Sequence, residues 1–376
     1  MDFELTAEQN LLRDTIRDLL AGTYDAETRS KVTDSELGWS RDVWRQLAEL
    51  GVLGLPFSEA DGGAGAGPVE TMVVLEEFGR RLAPEPILDA VWVPGGLVAR
   101  AGTAQQCQRI LPEVAAGTKL LAFAHSEPGA RWPSMEPTTT ATVSARGGFY
   151  TLTGVKNPIP HGDCADELVV SARLPDGEVG LFLVAPDASG VVCKPYRTMD
   201  GQRGAQLELA DVVAERLGEA GATEVIASVL TRAQAGLCAE SVGAMDEVLQ
   251  LTSAYLVQRK QFGVSLSKFQ TLTQRAADMY VSLELARSMS MYATASLAGG
   301  GDDPVVASRA RLRVGRAARH IGQEAIQMHG GIGMTAEYPV GHYVARLTAI
   351  ERTLGGLLEH QRVLSSRVGE YVLPEL

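Results

Sequence analysis

Hydrophobic residues recur every three or four positions over much of residues 1–120, which predicts helices joined by loops. Thr6 and Gln9 form a T-x-x-Q capping box at the start of the first helix. Ser40 suits the N-cap of another helix, and Pro68 suits the first turn of a third. We therefore expect this part of the chain to form an N-terminal α-helical domain.

The pattern changes over residues 121–215 to short runs of β-branched and aromatic residues, separated by turn residues. Pro175-Asp176-Gly177 is one such turn. Many short strands in a segment of this length predict a small β-barrel or sandwich. The predicted strands are 121–124, 138–143, 149–153, 168–171, 179–184 and 206–209.

Helical periodicity returns over residues 216–376. Ser267 and Gln270 predict a second capping box, and Asp303 with Pro304 predicts the cap and first position of a further helix. Long helices with short connections predict an up-down four-helix bundle. The expected fold class is therefore α+β and multidomain, with a helical domain, a small β domain and a helical bundle in that order.

Charge and cysteine content exclude several classes of function. The formal net charge of −12 repels nucleic acid and anionic membranes, so neither is expected as a partner. No apolar stretch reaches the length of a membrane span, and the first ten residues do not read as a secretory signal. The four cysteines form no C-x-x-C pair, so neither a metal site nor a disulfide framework is indicated, and a reducing cytoplasmic location is expected.

Two short motifs in the C-terminal part carry the functional information. The first reads Arg-Lys-Gln-Phe-Gly from Arg259 and is followed by Phe269-Gln270, and the second reads Gln-Met-His-Gly-Gly-Ile-Gly from Gln327. At these motifs, and in the segment WRQLAELGVLGLP from Trp44, the chain resembles the acyl-CoA dehydrogenase family over almost its whole length. Within that family it is most similar to the small subunit of pimeloyl-CoA dehydrogenase.

The resemblance implies FAD as the cofactor and an acyl-CoA thioester as the substrate. In the family, these segments bind the FAD of the neighbouring subunit. The residue types suit this role, since arginine offers a planar donor fork to a pyrophosphate and glycines let backbone N–H groups approach it closely. Ser126 keeps a hydroxyl where the family's threonine reaches the flavin. The predicted FAD-binding residues are Arg259, Gln261, Phe262, Gln270, Gln327, Gly330, Gly331 and Ser126.

The two segments that face the flavin ring in the family are altered here. Where the family usually reads T-E-P-x-A-G-S-D, the chain reads S-E-P-G-A-R-W-P, with bulky Arg131 and Trp132 in the acyl-receiving turn. Where the family usually reads G-x-K-x-W-I-T, the chain reads G-V-K-N-P-I-P. Pro158 therefore replaces the tryptophan, and Pro160 offers neither a hydroxyl nor an N–H.

The glutamate base of the family is also missing at its usual position, which falls on Leu354. An alternative position on the first bundle helix falls within residues 232–234, which contain no carboxylate. No catalytic residue is therefore assigned. Glu240 and Glu351 lie near these positions in sequence, and we expect both to be surface charges.

The motifs that bind the nucleotide part of FAD are retained, whereas the segments that face the flavin ring and carry the base are altered. This combination predicts one subunit of a heteromeric acyl-CoA dehydrogenase. Its bundle would complete the FAD site of a second dehydrogenase subunit in an α2β2 assembly, with an electron-transfer flavoprotein as electron acceptor. Three alternatives stay open: a self-sufficient homo-oligomer with a displaced base, a flavin oxidase or monooxygenase of the same fold, and a flavin-free scaffold. Dicarboxylyl, branched and steroid side-chain thioesters are all compatible substrates.

Overall fold

A computed structural model describes residues 4–130, 132–144, 149–219 and 221–370. The chain divides into two compact units. The first unit contains Met1–Ser30, Pro68–Ala83 and Gln234–Leu376, and the second contains Lys31–Gly67 and Pro84–Ala233. Among the described helices, none combines the length and apolar character that a membrane span requires.

Eleven α-helices and nine β-strands lie in the described residues. The helices are α1 (Ala7–Thr23), α2 (Ala26–Asp34), α3 (Arg41–Glu49), α4 (Pro68–Arg81), α5 (Val93–Ala101), α6 (Ala104–Ala115), α7 (Thr223–Gln258), α8 (Gln270–Ala298), α9 (Pro304–His329), α10 (Pro339–Arg352) and α11 (Leu357–Ser366). The strands are β1 (Leu121–Ala124), β2 (Thr140–Val143), β3 (Phe149–Pro160), β4 (Glu167–Arg173), β5 (Val179–Val184), β6 (Val191–Arg197), β7 (Arg203–Arg216), β8 (Lys260–Gln261) and β9 (Val264–Ser265).

Capping residues start several helices as predicted. The Thr6 hydroxyl accepts from the Gln9 backbone N–H at 3.2 Å, and the Gln9 side chain accepts from the Thr6 N–H at 2.9 Å. Ser40 accepts from Val43 N–H at 3.3 Å. Asp303 caps α9 by accepting from the N–H of Val305 at 2.8 Å. These bonds satisfy backbone donors that no helical carbonyl can reach.

The second predicted capping box is wrong. Residues Leu266–Lys268 form a 3₁₀ turn, so α8 begins only at Gln270 and Phe269 occupies its N-cap position without a side-chain cap. The Ser267 hydroxyl instead lies 2.9 Å from the Ser265 hydroxyl. Gln270 therefore does not take part in a capping box, and its side chain is exposed.

Within the first unit, helix α4 crosses the part of α7 that follows Ala233 at two glycines. A Cβ at Gly79 would lie 1.9 Å from the Glu240 carbonyl oxygen, and a Cβ at Gly243 would lie 1.8 Å from that of Glu76. Both distances are far inside van der Waals contact. Only glycine therefore permits these two backbones to pack so closely.

The β domain of the second unit is a seven-stranded sheet. Its strands pair in the order β1-β4-β2-β3-β7-β5, β6 pairs with β7, and a further β4–β5 pairing closes the path into a small barrel. The apolar side chains of Leu152, Val170, Phe182 and Leu207 lie in its core. The expected fold class is confirmed, although β6 was missed and β3 and β7 extend well beyond the predicted runs.

Candidate functional site

The first motif forms a small hairpin between α7 and α8. Strands β8 and β9 pair at Lys260–Ser265 and Gln261–Val264. Phe262 and Gly263 make the turn with φ angles of 53° and 84°. The left-handed region costs a non-glycine residue roughly 1–2 kcal/mol, yet the Phe262 side chain is 91% exposed. Its ring makes an edge-on contact with the Phe269 ring, with centroids 6.2 Å apart, and is otherwise largely open to solvent.

Arg259 immediately precedes the hairpin. Its N–H donates to the Tyr255 carbonyl at 2.8 Å, and its carbonyl accepts from Leu266 N–H at 2.8 Å, so both sides of its backbone are fixed. The residue is exposed, and no described side chain or carbonyl pairs with its guanidinium. A fixed backbone that carries an unpaired planar donor fork suits an anionic ligand.

The second motif ends α9. Gly330 has φ 66°, and a Cβ at either Gly330 or Gly331 would meet no atom within 4 Å. The two glycines therefore leave open space beside the backbone, where a ligand can approach the N–H groups. Gln327 is exposed one turn earlier on α9.

The structure brings the two motifs of the first unit together. The Tyr255 hydroxyl, near the end of α7, donates to the carbonyl of His329 at the end of α9 at 3.3 Å. Arg259 follows Tyr255 by one turn, and Gly330 follows His329 directly. Sequence analysis did not identify Tyr255 as a site residue, because it lies 74 positions from its partner.

Ser126 belongs to the second unit and lies next in sequence to Glu127, which forms an ion pair with Lys156. Its carbonyl accepts from Asn157 N–H at 2.8 Å. The neighbouring Lys156 is fully buried and donates to the Glu127 carboxylate at 2.9 Å and to the His125 carbonyl at 3.1 Å. Burial opposes ionisation of Glu127, but hydrogen bonds from Thr138 and from Lys156 outweigh it and hold the pKa of its carboxyl well below the usual range.

Strand β3, which the resemblance predicts to face the flavin ring, is irregular where its sequence departs from the expected pattern. Its register with β7 shifts between Lys156 and Ile159, which brackets Pro158. The shift is expected, because proline cannot donate a ladder hydrogen bond. Neither Pro158 nor Pro160 offers an N–H to a flavin ring. Trp132 is partly buried, and Arg131 lies outside the described residues.

Leu354 lies in the turn between α10 and α11 with φ 57°. A fully buried guanidinium organises this turn: Arg311 donates to the carbonyls of Ile350 at 2.6 Å and Thr353 at 2.8 Å. The position predicted for the family's base thus carries an aliphatic side chain, and this side chain cannot accept a proton.

The expectation that Glu240 and Glu351 are surface charges is wrong. Both are buried, at 7% and 8% exposure. Glu240 accepts from Arg346 at 2.6 and 3.0 Å, and Glu351 accepts from Arg319 at 2.6 and 3.2 Å. Buried carboxylates need such pairing because desolvation of an isolated charge is costly. Each glutamate is therefore engaged in a bidentate ion pair, as a structural carboxylate would be.

The residues of the first unit fit one half of a dinucleotide. Arg259 supplies a guanidinium fork, Gly330 and Gly331 expose backbone, and Phe262 presents an apolar face. These are the groups that a pyrophosphate and its adjoining nucleoside require. On β3, the two prolines remove donors that a flavin ring would use.

Sequence comparison assigns all three parts of the chain to one group of proteins. The profile described as "Acyl-CoA dehydrogenase, N-terminal domain" matches residues 6–118. The corresponding middle and C-terminal domain profiles match residues 122–215 and 220–368. Acyl-CoA dehydrogenase FadE28 of Mycobacterium tuberculosis is 31% identical over 382 residues, which cover 98% of this chain and 99% of that protein.

Solved structures give the same result. A variant of the Tcur3481–Tcur3483 steroid ACAD is 32% identical with a TM-score of 0.88, covering 96% of this chain and 98% of that one. The ChsE4–ChsE5 complex from Mycobacterium tuberculosis is 26% identical with a TM-score of 0.90, covering 99% and 100%.

Proposed function

Since the chain belongs to the acyl-CoA dehydrogenase family, we propose that it is one subunit of a heteromeric, FAD-dependent acyl-CoA dehydrogenase. The enzyme is an oxidoreductase that desaturates an acyl-CoA thioester between its α and β carbons. In this proposal the helical bundle of the chain holds the nucleotide half of an FAD whose ring lies in a second dehydrogenase subunit. That partner also supplies the base.

The observation that carries the proposal is the exposure of the nucleotide-binding set. Phe262 is 91% exposed in a strained conformation, Arg259 has no described partner for its guanidinium, and Gly330 and Gly331 are open. Side chains with this chemistry are stabilised when a ligand or partner covers them. The altered ring segment around Pro158 and Pro160 favours a ring site in another chain over one in this chain.

The roles of this chain's residues follow from their geometry. FAD, when bound, supplies the hydride acceptor for the β carbon of the thioester. Arg259 would donate N–H groups to the pyrophosphate, Gly330 and Gly331 would offer backbone donors, and Phe262 would present an apolar face to the nucleotide. Neither position predicted for the family's base can remove the α proton, since Leu354 is aliphatic and residues 232–234 contain no carboxylate.

The names of similar solved proteins favour one kind of partner and one class of substrate. Two similar solved proteins are named as pairs of chains, and one of them is a steroid ACAD. We therefore favour a second acyl-CoA dehydrogenase chain as partner in an α2β2 assembly and a steroid side-chain thioester as substrate. The resemblance to the small subunit of pimeloyl-CoA dehydrogenase offers a dicarboxylyl thioester as the other candidate. The electron acceptor in either case is an electron-transfer flavoprotein.

The purified chain alone is expected to bind FAD weakly or not at all, because it holds only the nucleotide half of the site. The measurement is flavin absorbance per chain after saturation with FAD and gel filtration. Near-stoichiometric FAD in the lone chain would contradict the proposal and favour a self-sufficient dehydrogenase.

Glu240→Gln and Glu351→Gln are expected to leave flavin reduction by substrate within a fewfold of wild type in the assembled enzyme. A general base is worth about 10²–10⁴-fold, and both carboxylates are instead bound to arginines. Each variant should lower the melting temperature, because the buried carboxylate loses its charge-assisted hydrogen bonds to arginine. A rate loss of two decades with FAD still bound, followed by stopped-flow absorbance, would show that the chain carries its own base.

A further inference from the structure

His329 is the last residue of α9 and is 4% exposed. Its Nδ1 lies 2.8 Å from the carbonyl oxygen of Ala325, so Nδ1 carries the proton and Nε2 is the unprotonated acceptor. Nε2 has no hydrogen-bond partner among the described residues. Burial lowers the pKa of the ring and the Ala325 bond only partly opposes this, so His329 is held as one neutral tautomer.

Two tyrosines enclose the ring. Tyr255 stacks on His329 with centroids 4.5 Å apart and planes inclined by 29°. Tyr338 lies 4.9 Å from the same ring and 6.1 Å from Tyr255. The three rings form a compact cluster, and the Tyr255 hydroxyl also donates to the His329 carbonyl at 3.3 Å.

Two of the three rings, those of Tyr255 and His329, are attached to different segments of the predicted nucleotide site. The Tyr255 carbonyl accepts from Arg259 N–H at 2.8 Å, which fixes the start of the hairpin. His329 leads directly into Gly330, and a Cβ at Gly333 would lie 2.9 Å from the His329 Cβ, so the glycine loop folds closely over it. The position of Arg259 relative to the glycine loop therefore depends on the contact between Tyr255 and His329.

We infer that His329 is a positioning residue for FAD: its ring holds the Arg259 hairpin and the Gly330 loop at the separation that the nucleotide requires. The inference rests on the proposed function. The positioning role differs from a purely structural role in what it requires at position 329. Positioning requires a planar ring, whereas packing requires only a side chain of similar volume. A small loss of alignment between two donor groups weakens a ligand that must engage both.

The test uses the assembled flavoprotein with FAD removed and then titrated back. His329→Leu fills the site without a stackable ring and is expected to raise the Kd for FAD about 10-fold or more, because both ring contacts are lost. His329→Phe keeps the ring and is expected to stay within about threefold of wild type. Leu283→Ala, a cavity variant of a buried residue on α8, controls for general destabilisation.

The leucine and phenylalanine variants separate the two roles. A Kd that rises with His329→Leu and recovers with His329→Phe, while Leu283→Ala lowers the melting temperature without changing the Kd, is the expected result. Equal Kd values for the leucine and phenylalanine variants would overturn the inference. If Arg259→Ala weakens FAD binding and His329→Leu does not, the inference about His329 fails but the proposed function stands. If neither variant weakens FAD binding, the proposed function fails as well. Should His329→Leu not fold, Tyr255→Leu removes the same stack from the other side, with the same expected Kd change.

Discussion

Replacing Arg259 with alanine is expected to weaken FAD binding by the assembled enzyme roughly 10- to 150-fold, because a charge-assisted hydrogen bond is worth about 1.5–3 kcal/mol. The guanidinium has no described partner within its own unit, so its removal should not unbalance an internal ion pair. FAD is titrated into the flavin-depleted protein, and flavin fluorescence reports binding. The melting temperature of the flavin-free protein should be unchanged.

Two further variants sharpen this experiment. Arg259→Lys keeps the charge but loses the planar fork, and it should recover only part of the affinity. Arg316→Ala removes another exposed arginine from the same unit, on α9, and should leave FAD binding unchanged. If Arg259→Ala binds FAD as tightly as wild type, the bundle does not hold the cofactor.

Gly243→Ala is expected to destabilise the first unit by about 3 kcal/mol or more, since overpacking of a close contact cannot be relieved by a side-chain rotation. The added Cβ would lie 1.8 Å from the backbone carbonyl of Glu76, so α4 and α7 must separate. We expect the melting temperature in scanning calorimetry to fall by roughly 5 °C or more.

Gly22→Ala is the matched control for this prediction. Gly22 also lies in a helix of the first unit, but its added Cβ would meet no atom within 4 Å. The substitution should stabilise the protein by up to about 1 kcal/mol, because alanine loses less backbone entropy on folding than glycine. Wild-type stability for Gly243→Ala would mean that the two helices do not cross as described.

Local signals in the sequence were sufficient for most of the predicted helix starts. The capping pairs at Thr6 and Asp303 act within three residues, so their geometry is readable from spacing alone. Ser267 fails for a local reason as well, since the 3₁₀ turn just before α8 moves the helix start to Gln270. Strand β6 was missed because its sequence, VVCKPYR, contains a lysine and a proline and is mostly exposed on an edge.

The features of the site that could not be predicted from the sequence depend on contacts between residues far apart in the chain. Glu240 lies 106 positions from Arg346, and a carboxylate with no visible partner in sequence is expected to be on the surface. The contact of Tyr255 with His329 spans 74 positions and has no motif of its own. By contrast, the exposure of Arg259 and Phe262 agrees with the ligand-binding role that the motif predicts for them.

The central claim is that one FAD is shared between this chain and a different dehydrogenase chain. The most direct test is native mass spectrometry of the tagged chain isolated from its own cells with its cofactor bound. We predict a hetero-oligomer with one FAD for every two chains, which releases the tagged chain without flavin on gentle dissociation. A homo-oligomer of the tagged chain carrying about one FAD per chain would contradict the claim.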